Sequence, residues 1–413
     1  MNENIPTEKA VMPPLGGLER RLLVLTACLE LDEDRAVELK ELLQGKVDWD
    51  TVIAYSSMHG TAGIIYRHLL NISADNSVPE DVLERMRSIY LVITASNMQY
   101  LEQSKILAEQ LAAEGLEIIF LKGSSLIESL YEDLGYRAMS DIDILVRERD
   151  WPSVSRILNR LEYRPGEKIF SQTPPKLTKY DVQAHIQYLS KNGVCLEFQF
   201  DLFTLGIGMR DIEGVWERSR QLSEDSLNVR TLSPEDQLLQ MIIHVNRHGF
   251  MRLKWLIDIT ESVRRGDEID WELFVKIARK EKIQPVVYLA IDYISKVFDF
   301  EIAPWAVMEQ LKPKFYKRAI WKAVWPRKQL DEFNGRNEDV ITFYFYRPFC
   351  VWNLFNYLLM GRALDKLYYQ IRWIVPPMKW MAATYDRPES LELLKYYPKR
   401  MVNYGKRKTK TGL

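Results

Sequence analysis

The segment that most constrains the fold is Ser140-Asp141-Ile142-Asp143-Ile144-Leu145-Val146. Acidic and aliphatic residues alternate along it, and a strand sends successive side chains to opposite faces. Ile142, Ile144 and Val146 therefore share a core-facing side. Asp141 and Asp143 stand together on the other side, about 7 Å apart by the rise of a strand. Like charges so placed call for a cation.

The flanking sequence extends this strand into a unit. Glu117-Ile118-Ile119-Phe120-Leu121 reads as a short buried strand that runs into Lys122-Gly123-Ser124-Ser125. Ser125 to Leu134 is then predicted as a helix closed by Gly135, which leads to the acidic strand. Further on, His185–Leu189 and Val194–Phe200 alternate and are joined by Ser190-Lys191-Asn192-Gly193. Its Asn-Gly pair favours the positive backbone angles of a tight hairpin, which is expected to end the sheet. Parity sends Val194, Leu196, Phe198 and Phe200 inward and leaves Cys195, Glu197 and Gln199 on the opposite face.

Helical spacing of apolar residues marks Leu18–Leu43 and Val82–Ala113, and it returns after Ser233, with Pro234 at the first position and Asp236 in the first turn. The expected architecture is α+β, a small mixed β-sheet core surrounded by helical N- and C-terminal regions. Four stretches follow: a helical region over 1–95, the mixed-sheet core over 96–205, a helical domain packing on the core over 206–300, and an aromatic-rich helical region with a basic tail over 301–413.

Charge and cysteine usage narrow the function. The 413 residues carry 56 lysines and arginines against 57 aspartates and glutamates, so no bulk charge favours wrapping DNA or coating an anionic membrane. Nucleic acid stays a possible partner without being favoured. Cys28, Cys195 and Cys350 are odd in number and far apart, which fits reduced thiols in a cytoplasmic protein. The first residues lack the basic start and apolar run of a secretory signal. The most apolar window, Ile341–Met360, is interrupted by Arg347, Pro348, Asn353 and Asn356 and reads as buried or interfacial, not as a transmembrane segment.

The acidic face has the chemistry of an oxygen-ligated divalent cation. Mg2+ or Mn2+ takes one or two protein carboxylates and completes its shell with water and substrate phosphates, which a nucleoside triphosphate would supply. Glu197 is the natural third carboxylate beside Asp141 and Asp143, placed to serve a second metal and to help remove a proton from an attacking hydroxyl. Asp201 shares its parity at the strand end and ranks second, and Asp181 ranks third. Gly123 permits close backbone approach to a phosphate, Ser124 adds a hydroxyl donor, and Lys122 and Arg137 are candidate phosphate clamps.

Leu121-Lys122-Gly123-Ser124-Ser125-Leu126, Arg137 and Asp141-Ile142-Asp143-Ile144-Leu145-Val146 together resemble the nucleotidyltransferase superfamily that includes DNA polymerase beta. Its hallmark is Gly-Ser, a strand with two aspartates and a later third carboxylate. More narrowly, the chain is similar to the bacterial uncharacterised nucleotidyltransferase family of the type-5 class, from about residue 90 nearly to the end. In Leu196-Glu197-Phe198-Gln199-Phe200, Gln199 stands where that family usually has a histidine. The likeness extends to His244–His248 with Arg252–Asp258, and to Pro376–Trp380 with Tyr385. It implies transfer of a nucleotidyl group from a triphosphate to an unidentified acceptor: a small molecule, a sugar phosphate, a peptide or protein, or an RNA end. The alternatives are a nucleotide-binding scaffold that has lost turnover, and phosphoryl transfer on the same fold.

Two features stay outside this catalytic set. His244 and His248 lie four apart on a predicted helix, a zinc-compatible spacing without a nearby third ligand of comparable quality. Packing and hydrogen bonding to Asp258 or the core is the favoured reading, and lining of the cleft by His244, His248 or Arg252 the lesser one. The aromatic block from Phe343 to Trp373 reads as core packing, because it lacks the basic interleaving of a nucleic-acid surface.

Overall fold

A computed structural model describes residues 15–72, 77–166, 185–203, 211–222, 229–248, 250, 252–265, 268–324, 375, 378, 381 and 390–398. Five helices come first: α1 (Gly17–Leu25), α2 (Glu33–Leu43), α3 (Trp49–His59), α4 (Ala62–Ile72) and the long α5 (Glu80–Ala113). Then follow β1 (Ile118–Leu121), α6 (Lys122–Ser129), β2 (Ile142–Leu145), α7 (Trp151–Arg160), β3 (Arg164–Pro165), β4 (His185–Leu189) and β5 (Cys195–Gln199). After α8 (Ile212–Arg218), β6 (Arg220–Gln221) and β7 (Val229–Thr231), the chain is helical: α9 (Pro234–Arg247), α10 (Leu253–Arg265), α11 (Trp271–Lys280), α12 (Gln284–Phe298), α13 (Trp305–Leu311) and α14 (Phe315–Val324).

The strands form one mixed sheet in the order β3-β4-β5-β2-β1-β7-β6. The acidic strand β2 lies at its centre, antiparallel to β1 and parallel to β5. Helices flank this sheet, so the fold is the α+β arrangement expected. The inward face of β4 and β5 carries Tyr188 and Phe198, and Phe200 follows just past β5, around Trp151 of α7, with ring centroids 6.1, 5.4 and 5.4 Å from it. That aromatic packing fixes which side of the sheet is core, and the parity of the strands then sends the carboxylates to the other side.

Several local expectations change. The sheet does not end at the β4–β5 hairpin, because β7 pairs in parallel with β1 and brings β6 with it. In the hairpin, Gly193 takes the positive angle (φ 82°) while Asn192 does not. Gly193 N donates to Ser190 O, and Val194 N to Ser190 Oγ, so the turn is built on the serine. The helix expected at Ser125–Leu134 instead spans Lys122–Ser129, and Gly135 does not close it. Lys122 adopts a left-handed conformation (φ 48°) that turns the chain from β1 directly into α6. Leu18–Leu43 is two helices, α1 and α2, whereas Val82–Ala113 lies within the single helix α5.

Helix α5 also aims the site. Its buried Asn97 donates to the carbonyls of Leu134 (2.6 Å) and Arg137 (2.7 Å) and accepts from Met139 N (3.1 Å). Tyr100 donates to Ser140 O at 2.9 Å. One helix thus pins the irregular segment that delivers Asp141 to the mouth of β2. Among the described residues no helix is long and apolar enough to cross a membrane, and Cys28 and Cys195 are free thiols. Cys350, the Ile341–Met360 window, the aromatic block and the basic ending at 406–410 lie outside the described residues.

Candidate active site

A cavity of about 440 Å³ opens over the acidic face of β2 and β5 and is closed by α9 and α10. Asp141, Asp143 and Glu197 line it together, joined by Lys122, Gly123, Arg137 and Gln199. The strands explain the convergence: Asp143 and Glu197 are direct cross-strand partners, and Gln187 faces Glu197 from β4. Gln187 Nε2 donates to Glu197 Oε1 at 2.7 Å and fixes that carboxylate.

Asp143 is the most buried of the three, 3 % exposed. Lys122 Nζ and Gln199 Nε2 both donate to its Oδ1, at 2.6 and 2.7 Å. Burial raises its pKa to about 6; Lys122 opposes that rise, and the charges of Asp141 and Glu197 add to it. Gln199, standing where the resemblance led to a histidine, is thus an amide donor to the central carboxylate. Asp141, at the strand mouth, accepts from Ser140 Oγ at 3.1 Å.

The candidate phosphate-binding residues divide. Lys122, Gly123 and Arg137 line the cavity, and Ser124 does not. Ser124 is buried, and its hydroxyl donates to Leu121 O (2.8 Å) and contacts Asp143 O (3.3 Å), so it ties α6 to β1 and β2 instead of reaching into the cleft. Arg137 is buried and grips Asp258 of α10 through Nε (2.8 Å) and Nη2 (2.7 Å), while Tyr131 OH donates to the same carboxylate at 2.7 Å. Gly123 makes room for that guanidinium: a Cβ there would lie 2.4 Å from Arg137 Nη1. The close approach read from Gly123 is therefore made, in this structure, by an arginine.

The far wall is formed by residues that the sequence left outside the catalytic set. His244 of α9 and His248, which caps its C-terminal end, pack ring to ring at 4.5 Å and meet Trp255 of α10 at 4.8 and 5.1 Å. Arg252 stands 5.9 Å over the indole and donates to Met58 O at 2.6 Å. Lys254 also lines the cavity, with Nζ donating to Ala138 O at 2.9 Å. Burial lowers its pKa to about 8, and the Arg137 charge adds to that lowering. The helical spacing of His244 and His248 and the resemblance over Arg252–Asp258, which contains Lys254 and Trp255, were the available signals; Gln240 gave none. Asp201 accepts from Phe203 N at 3.1 Å and is not among the cavity-lining residues, and Asp181 lies outside the described residues.

Three carboxylates on one wall are the donor chemistry that a hard divalent cation prefers. The raised pKa of Asp143 follows first from burial, and the charges of Asp141 and Glu197 add to it. Lys122 supplies the balancing charge here, and among the described residues no three His, Cys, Asp or Glu side chains are grouped to hold a metal ion.

A central acidic strand beside a helix with glycine in its first turn, with a third acid in register on the next strand, is the arrangement expected of a nucleotidyltransferase-type core. The family of that chemistry described as uncharacterised nucleotidyltransferase matches residues 45–299, more than half the chain, and the protein belongs to it. The match starts further toward the N-terminus than the motifs suggested and stops before Pro376–Trp380. No curated protein and no solved structure matches. Membership supports nucleotidyl transfer in general, with a nucleotide as substrate.

Proposed function

We propose that the protein transfers a nucleotidyl group from a nucleoside triphosphate to an acceptor hydroxyl or other nucleophile. The nucleophile attacks the α-phosphorus, the bond to the β-phosphate oxygen breaks, and pyrophosphate leaves. The observation that carries this reading is the placing of Asp141, Asp143 and Glu197 on one cavity wall, with Asp143 and Glu197 as cross-strand partners. These three are the oxygen donors Mg2+ or Mn2+ would take, drawing together from a spacing at which, among the described residues, no three are yet grouped around an ion, and the metal would neutralise phosphate charge and orient the reacting groups. Glu197, steadied by Gln187, is placed to accept a proton from the nucleophile. Lys122, Arg252 and Lys254 give the cavity positive charge for the phosphates, whereas Arg137 acts through Asp258 as a brace.

A second reading has its own support. Lys122 and Gln199 both occupy Asp143 Oδ1, and an amide cannot shuttle a proton as an imidazole can, which favours a protein that binds nucleotide without turning it over. Titration with each of the four ribonucleoside triphosphates and manganese, following binding and pyrophosphate, separates the two. Pyrophosphate release that disappears in Asp141→Asn/Asp143→Asn supports transfer; binding without release supports the scaffold. Release of a nucleoside diphosphate would mean phosphoryl transfer instead, and identical behaviour of wild type and variant would sink the metal-site assignment.

A further inference from the structure

Gln240 lies on α9 with its side chain on the cavity and is 2 % exposed, yet neither Oε1 nor Nε2 has a hydrogen-bond partner among the described residues. A buried amide without partners loses its hydration and gains nothing in return, so such groups are rare and need a reason. Its neighbours supply one. Gln240, His244 and His248 recur at intervals of four, which places them along one face of the helix. The two imidazoles and Trp255 form a cluster of three rings within 5.1 Å of one another, all only partly buried on the cavity side.

We infer that this face of α9, with Trp255, is a nucleobase subsite: the rings stack on the base, and the Gln240 amide reads its edge. Stacking platforms accept any base, because every base has a π-face. An amide presents one donor beside one acceptor, the pattern that pairs bidentately with a base edge and most readily with adenine. The cavity then has two ends of different chemistry, acids and cations around Asp143 for the phosphates and rings with an orphan amide for the base. This subsite rests on the proposal that the cavity takes a nucleoside triphosphate.

Equilibrium binding of the four ribonucleoside triphosphates and of inorganic tripolyphosphate, each with manganese, tests it in the full-length protein. Wild type is expected to bind at least one nucleotide roughly tenfold more tightly than tripolyphosphate and to discriminate among bases. Gln240→Leu fills the same space without the amide. It should abolish that discrimination, leave tripolyphosphate binding unchanged, and melt no lower than wild type, because an unsatisfied group has been removed. Trp255→Ala should weaken all four nucleotides by roughly tenfold or more without affecting tripolyphosphate, and Trp255→Phe should restore most of the loss. Undiminished base selectivity in Gln240→Leu, a melting temperature lowered by that change, or equal weakening of tripolyphosphate by Trp255→Ala would overturn the subsite. If wild type binds tripolyphosphate as tightly as any nucleotide, the subsite fails while a polyphosphate site survives. If it binds neither, the triphosphate reading fails and takes the subsite with it.

Discussion

Asp143 carries its charge against the preference of its surroundings. An unfolded aspartate ionises near about 3.9, and burial in the folded protein raises Asp143 to about 6. Below both values the proton is bound in either state. Between them the folded state keeps a proton that the unfolded state has lost, so stability falls as pH rises toward 6 and stays reduced above it. In metal-free protein, urea unfolding should therefore show wild type gaining about 1 kcal/mol relative to Asp143→Asn between pH 7 and pH 5. Parallel pH responses of the two proteins would show that Asp143 is not so perturbed. The Arg137–Asp258 pair has the opposite character, both partners being buried and bonded through two contacts. Asp258→Ala leaves an uncompensated guanidinium in the interior and should cost about 3–5 kcal/mol. Replacing both partners, Arg137→Met with Asp258→Leu, should recover much of that loss in the same denaturation assay.

Helix α6 shows what such a pair does for an element. Its second residue, Gly123, lies under Arg137 Nη1, and Arg137 is clamped by α10, so the start of α6 and the middle of α10 are held at a fixed separation. Gly123→Ala forces a methyl group into that contact. It should cost about 1–3 kcal/mol, as overpacking does, and its effect should be non-additive with Asp258→Ala because releasing the guanidinium makes room. Additive losses in a double-mutant cycle would show that the glycine is constrained by something else. The history of this glycine also marks the limit of sequence reasoning. Its need for close approach was legible, and so was the face shared by Asp141 and Asp143, because a period of two is a local property. The partner that approaches was not, since Arg137 meets Asp258 across 121 residues with no local pattern joining them. Ser124 illustrates the same limit: a hydroxyl beside a glycine looks the same whether it faces a phosphate or the Leu121 carbonyl. β6 and β7 are two and three residues long and carry too little alternation to be read as strands.

At the scale of the whole molecule, the family match over 45–299 and the folded unit do not coincide. The hydrophobic core is continuous from Leu22 in α1 to Leu311 in α13 and takes in the inward faces of the sheet. Leu22, Leu23, Leu25, Leu39 and Leu43 lie before the match and are all buried in it. Polar ties reinforce the connection: Leu29 N donates to Glu261 Oε1 at 3.3 Å, Arg35 Nη2 to Phe298 O at 2.9 Å, and Asp48 N to Glu19 Oε1 at 2.9 Å. Burying a leucine contributes about 1.5–3 kcal/mol, so those five side chains supply on the order of 10 kcal/mol, as much as the net stability of an ordinary domain. A fragment limited to residues 45–299 should therefore lose the cooperative thermal transition of the full chain even though it keeps Asp141, Asp143 and Glu197. Adding back residues 15–44 and 300–324 should restore the transition. Calorimetry on the two fragments reads this directly: a sharp transition in the shorter one would mean that α1 and α2 are attached to the core without being part of it. Its absence would mean that the flanking helices, α1 and α2 before the match and α13 after it, belong to the same folded unit as the cavity.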